Sequence, residues 1–255
     1  MKVSSKIIGI QFSIQSPEEI KKASVVKIES RDTHVNNKPC IGGMFDPRMG
    51  VLDSGLLCPT DGLNHIETPG YFGHIELEKP VFYIQYFNQV MKIMRCVCLK
   101  CSALLINKEE YSYVLELPAK QRWDIVSSLI PKAKDKCCCM EGCGYIQPTK
   151  IKKVDFASIT AEWKSNDKNS DEETKTLNIT PEIALKILKR IHDDDIIFLG
   201  FNPHFSRPEW MICQVLAVPP PCVRPSIKHD SQQRSEDDLS YIIMSILKVN
   251  EDIKK

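Results

Sequence analysis

Several things are scarce or missing in this 255-residue chain, and each closes off a class of protein. No apolar run approaches the about 20 residues that a membrane-spanning helix needs; the longest stretches, 196–201 and 239–247, are too short or too interrupted by polar residues. The start, Met1-Lys2-Val3-Ser4-Ser5-Lys6, leads into alternating apolar residues and lacks the continuous apolar core and small-residue cleavage site of a signal peptide. An excess of one charge is also missing. The 34 Lys and Arg against 33 Asp and Glu leave a net charge of +1, so any grip on phosphate backbones must be local, since that affinity comes from clustered cations. No internal repeat is present. The expectation is a chain that stays inside a cell or virion, away from membranes, and there eleven cysteines, most of them in two clusters, point to metal before disulfides.

What is present suffices for a core: 42% of the residues are hydrophobic, and the length fits one large or two smaller domains. Helical and extended patterns alternate without a fixed period. Residues 7–14 are β-branched and partly alternating, which reads as a strand. Ser16, Pro17 and Glu19 have the spacing of a capping box with proline at the first helical position, so a short helix follows. Extended structure resumes at 25–29, and the stretch 36–62, rich in Gly, Pro, Asn and Asp, reads as loop and turn. Residues 73–77 read as a strand. From 81 to 95 helical spacing places Phe87, Val90, Met91 and Met94 on one side, and a further helix is expected around Trp123. Residues 162–175 are polar and charged, hence an exposed loop. Thr180, Pro181 and Glu182 open a helix with an apolar stripe of Ile183, Ile187, Leu188 and Ile191. The prolines within 217–225 predict an extended connector, and 239–249 a final helix.

The chemistry concentrates in the cysteines. Cys98-Leu99-Lys100-Cys101 is a two-cysteine knuckle whose spacing lets both thiolates reach one ion, and a second cluster follows at Cys137, Cys138, Cys139 and Cys143. Together they can close a tetrahedral zinc site with no open position, which is structural and not catalytic. Spacing alone leaves Cys137, Cys138 and Cys139 as competing fourth ligands. Cys96 reads as a neighbour of the site; Cys40, Cys213 and Cys222 read as isolated packing residues. A different class of reading uses His74-Ile75-Glu76 with Cys98 and Cys101, which echoes the zinc-deaminase signature. Against it, Val97 and not proline precedes the knuckle, and His74 lies in a strand-like stretch.

Longer motifs then come into view in one order along the chain: Phe45-Asp46-Pro47-Arg48-Met49-Gly50; Thr68-Pro69-Gly70-Tyr71-Phe72-Gly73-His74-Ile75-Glu76; Gly142-Cys143-Gly144-Tyr145-Ile146-Gln147-Pro148-Thr149; Leu199-Gly200-Phe201-Asn202-Pro203-His204-Phe205-Ser206-Arg207-Pro208-Glu209-Trp210. In these the chain resembles the amino-terminal part of the largest subunit of multisubunit DNA-directed RNA polymerases of the RNA polymerase II type.

The resemblance implies an α+β, irregular, multi-lobed clamp domain with a zinc-ribbon-like four-cysteine site. It implies clamp core at 1–95, a zinc-binding region at 96–150, clamp head at 151–198, and a return to the core at 199–255 with a lid-like loop at 227–238. One structural zinc would be held by Cys98, Cys101, Cys143 and, as the fourth ligand, Cys137, because Lys132 and Lys134 resemble the family's lead-in to that cysteine. At the family's first metal site Cys58 matches, but Asp61, Thr68 and Tyr71 replace two cysteines and a histidine, so that site is expected empty and its loop held by packing. Lys228, His229 and Arg234 fall in the lid-like loop and are candidates for nucleic-acid phosphates; Arg207 and Arg224 are open between that role and a structural one, and Phe205 and Trp210 are read as core. The implied partners are other polymerase subunits, notably the second-largest, with the DNA template and the RNA–DNA hybrid. The expected location is the nucleus, or the host cytoplasm or virion if the source is viral. The family's magnesium-binding aspartate motif is absent, and Asp193-Asp194-Asp195 reads as a solvated turn, so magnesium belongs only to the complete polymerase and no catalytic residue is expected in this chain. The alternative is a free-standing zinc-ribbon interaction module.

Overall fold

Proline or a capping side chain opens several of the helices in the computed structural model, which describes residues 6–10, 12–36, 38–129, 143–155, 158–163, 175–229 and 233–255. In chain order the described elements are α1 (Pro17–Ala23), β1 (His34–Val35), β2 (Lys38–Pro39), β3 (Gly73–Phe82), α2 (Phe87–Cys96), α3 (Ala119–Leu129), β4 (Lys150–Asp155) and β5 (Ser158–Trp163). They continue with β6 (Lys175–Ile179), α4 (Pro181–Lys189), α5 (Asp193–Phe198), β7 (Ile212–Val218), β8 (Ile227–His229), β9 (Gln233–Ser235) and α6 (Asp238–Lys254). The mixture is α+β, as expected.

Two compact units divide the chain. One comprises Met1–Gln15 and Val81–Ile212, the other Ser16–Pro80 and Cys213–Lys255. In the first, α2 turns Phe87, Val90, Ile93 and Met94 into one buried stripe, as its spacing predicts. The antiparallel meander β4-β5-β6 contributes Ile151, Ile159, Ala161 and Ile179, and α4 adds Ala184, Ile187 and Leu188, so three element types share one core. Thr180 caps α4 by accepting from the Ile183 amide at 3.4 Å. Gly200, at φ +90°, lies where an added Cβ would stand 2.4 Å from the Ala119 carbonyl oxygen, so only glycine lets the turn after α5 approach α3.

The second unit is built on the β3–β7 pair and on a core of Val26, Ile28, Met44, Phe45, Met49, Ile75, Val218, Ile243 and Leu247. Ser16 and Glu19 form the expected capping box, with both reciprocal bonds present. The motif beginning at Phe45 is a turn built around the buried Asp46 carboxylate, which accepts from the Gly42 and Arg48 amides and from the Arg48 guanidinium at 2.6–2.9 Å. Arg224 is structural. Fully buried, it donates to the Pro219 and Met44 carbonyls and to Ser240 Oγ, and lies over the Phe45 ring.

Five expectations need correction. Residues 7–14 form no strand among the described positions; Ile7, Ile8, Ile10 and Phe12 are exposed, and Ile14 donates its amide to Phe205. Alternation produces a strand only where a neighbour supplies ladder bonds, and none of the described residues does so there. Of the expected loop 162–175, Glu162, Trp163 and Lys175 are paired strand residues, while 164–174 lie outside the described residues. The proline connector is shorter than predicted, because Ala217 and Val218 end β7 and Pro221–Val223 make a 3-10 turn, for which proline's fixed φ is suited. The three aspartates are solvated only in part and open α5: Asp193 and Asp194 are exposed, Asp193 receiving Arg207 at 2.7 Å, but Asp195 is buried against Lys108, and carboxylates suit a helix start. Phe205 and Cys222 are exposed and not core, whereas Cys213 is buried.

Candidate metal centre

The helix α2 delivers the chain directly into the knuckle. Val97 and Leu104 form an antiparallel bridge, and inside it Cys98 donates its amide to the Ala103 carbonyl at 2.8 Å while Ser102 donates to the Cys98 carbonyl at 2.9 Å. Ser102 sits in the left-handed region at φ +65°, a strained position for a non-glycine residue that closes the turn tightly. Gly144, at φ +66°, makes the corresponding turn beyond Cys143 without that strain.

The two segments meet. The sulfurs of Cys98, Cys101 and Cys143 lie within 4.8 Å of one another, and the Cys98 and Cys143 sulfurs are 3.7 Å apart. Zinc–thiolate bonds of about 2.3 Å in a tetrahedron place sulfurs about 3.8 Å apart, so these three fit three corners of a zinc–thiolate site. Cys98 is buried, Cys101 half-buried and Cys143 exposed. Burial pushes the Cys98 thiol up, but the Cys101 and Lys100 amides and the neighbouring thiols outweigh it and bring it down to about 7. A thiol so lowered enters the thiolate form that soft metal binding requires. Cys137, with Cys138 and Cys139, lies outside the described residues. Cys96 is not a ligand but core, its thiol donating to the Lys92 carbonyl.

Sequence reasoning missed Gln147. Its side chain is buried beside the knuckle, and its Nε2 donates to Cys98 Sγ at 3.0 Å. The only signal was a polar residue between Ile146 and Pro148, four positions after a candidate ligand cysteine.

In the second unit Cys58, Asp61, Thr68 and Tyr71 also come together, as a hydrogen-bonded knot. Asp61 Oδ2 accepts from Thr68 Oγ1 at 2.8 Å and from the Tyr71 hydroxyl at 3.1 Å, and Oδ1 accepts from the Leu63 amide at 2.9 Å. Desolvation pushes the Asp61 carboxyl up, but donors from Leu63, Thr68, Cys58 and Tyr71 prevail and hold it below the usual carboxylate range. Packing alone does not hold this loop, which corrects the expectation above; Asp61, Thr68 and Tyr71 hold it by directed bonds.

The histidine and glutamate of the deaminase reading have partners within the second unit. His74 Nδ1 meets Ser24 Oγ at 2.7 Å, Glu76 pairs with Lys21 and Lys27, and the described residues contain one metal-compatible group, the three cysteines. Lys228 and Arg234 face each other in the register of the β8–β9 hairpin, with His229 opposite Gln233, so the expected loop is in part a paired ribbon. No helix among the described residues is long and apolar enough to cross a membrane.

Two comparisons with known proteins bear on this arrangement. Residues 4–255 match the family described as RNA polymerase Rpb1, domain 1. The DNA-directed RNA polymerase subunit Rpo1N of Methanocaldococcus jannaschii is 37% identical over 255 residues, covering 97% of this chain and 18% of that protein. The chain thus spans less than a fifth of the length of that relative.

Proposed function

Because this chain belongs to the RNA polymerase Rpb1 domain 1 family, we propose that it is the clamp portion of the largest subunit of a DNA-directed RNA polymerase. The observation that carries this reading is the match over residues 4–255, inside which the cysteines expected to hold zinc converge from segments more than 40 residues apart. In this role the chain holds DNA and the RNA–DNA hybrid in the cleft, in company with the second-largest and other subunits, and contributes no catalytic residue of its own. The nucleotidyl transfer and its magnesium ions belong to the complete polymerase.

Cys98, Cys101 and Cys143, with Cys137 as fourth, would hold one zinc. The ion supplies a cross-link of fixed geometry and no chemistry on substrate. The chain's own residues do the rest: α2 and the bridge at Val97 fix the first pair of sulfurs, and Gly144 turns the third toward them. This makes the region a zinc-ribbon-like lobe within the clamp. Lys228, His229 and Arg234 lie on the β8–β9 hairpin and are the candidates for a phosphate contact from the lid-like loop.

Affinity purification of the tagged chain from its native source tests the assignment. The clamp reading expects the other polymerase subunits to co-purify and to be required for transcription. A chain that can be removed from a fully active polymerase would be a free-standing interaction module instead. Metal analysis should return one zinc per chain, and two would overturn the reading of the knot at Asp61.

A further inference from the structure

The carboxamide of Gln147 makes three hydrogen bonds in two directions. Nε2 donates to Cys98 Sγ at 3.0 Å and to the Tyr145 carbonyl at 3.0 Å, while Oε1 accepts from the Leu99 amide at 3.1 Å. The orientation of the amide follows from these partners. Reversed, it would set an oxygen against a carbonyl and a sulfur, and an NH2 against an N–H.

The bonds join parts that are distant in sequence. Cys98 and Leu99 belong to the knuckle, whereas Gln147 stands four residues after Cys143 and leads through Pro148 into β4. Next to it the Thr149 amide donates to the Glu162 carbonyl at 2.8 Å, and Trp163 Nε1 donates to the Ile146 carbonyl at 2.9 Å. Gln147 is 4% exposed, so these bonds form where water does not compete. An N–H aimed at a cysteine sulfur favours its thiolate and fixes the direction of its lone pairs, as outer partners of metal ligands do.

We infer that Gln147 is the positioning residue of the cysteine centre: it orients the Cys98 sulfur for the metal and couples metal occupancy to the β4-β5-β6 sheet. The inference rests on the zinc reading above and deepens it.

The test uses the full chain with Gln147→Leu, which removes every bond, and Gln147→Glu, which retains the acceptor for Leu99 but loses the donor to sulfur. Zinc affinity is read by competition with a chromogenic chelator, and thiolate geometry by the absorption bands of the cobalt-substituted protein. Hydrogen exchange is followed at 96–105 and 145–155. Both variants should bind zinc about ten- to a hundredfold more weakly, with shifted cobalt bands and faster exchange at Leu99 and Thr149 in the zinc-loaded state. If Gln147→Leu fails to fold, Gln147→Glu decides. Wild-type affinity and cobalt bands in a folded Gln147→Glu variant would overturn the positioning role while leaving the metal site intact. A wild-type chain that binds neither zinc nor cobalt would overturn both the inference and the site beneath it.

Discussion

At the scale of single residues, the informative side chains are polar ones placed where polarity is costly. Arg224 is fully buried, and burial lowers its pKa to about 10, yet acids at 236 and 237 and three acceptors keep it charged. Arg224→Met keeps the stem and leaves the Pro219 and Met44 carbonyls without their donor, so denaturant unfolding should show a loss of about 2–3 kcal/mol. Asp61 acts differently, as the acceptor on which one turn converges. Asp61→Ala should speed limited proteolysis within 58–71 without altering metal content, and an unchanged cleavage rate would count against the knot. Cys143→Ser removes a corner of the proposed tetrahedron and should weaken zinc binding by more than the roughly ten- to hundredfold cost of losing an outer partner; equal zinc content in the two proteins would argue against the site. None of these roles is carried by residue type alone. Gln147 and Arg224 could have been surface residues, and the sequence has no local pattern that says otherwise.

Among the elements, the capped helices, the apolar stripe of α2 and the strand at 73–77 were legible, and the stretch 7–14 was not. Ser16, Glu19 and Pro17 specify the start of α1 within four residues, and Ser16→Ala should cost about 1 kcal/mol in thermal unfolding. The stretch 7–14 has the alternation of a strand but no described neighbour to pair with. The β3 strand carries Glu76, whose bonds to Lys21 and Lys27 draw its carboxyl down from 4.5 to about 2. Its stabilising effect is complete above the ordinary value and disappears as pH falls from 4.5 through about 2. Glu76→Gln should therefore be less stable than the parent at pH 7, with the difference shrinking between pH 4.5 and 2. A difference that is constant with pH in urea titrations would show that the ion pairs are not its source.

Over the whole molecule, each unit has its own core, and the cysteine centre belongs to the first alone. Chelation should therefore raise amide exchange around 96–105 and 143–151 while leaving protection at Val26, Ile28, Ile75 and Ile243 unchanged; a uniform rise would mean that metal supports both units. The sequence by itself determined the α+β class, the capped helices, the buried stripe of α2, the paired cysteine clusters and the family, because these depend on neighbours a few positions away or on long ordered motifs. Only the tertiary structure decided that Cys98, Cys101 and Cys143 share one point in space, that Gln147 braces them, that Asp195 and Arg224 are interior, and that polar bonds close the loop at Asp61. Those outcomes depend on which distant segments become adjacent and how much water is left between them, and no local spacing in the chain encodes either.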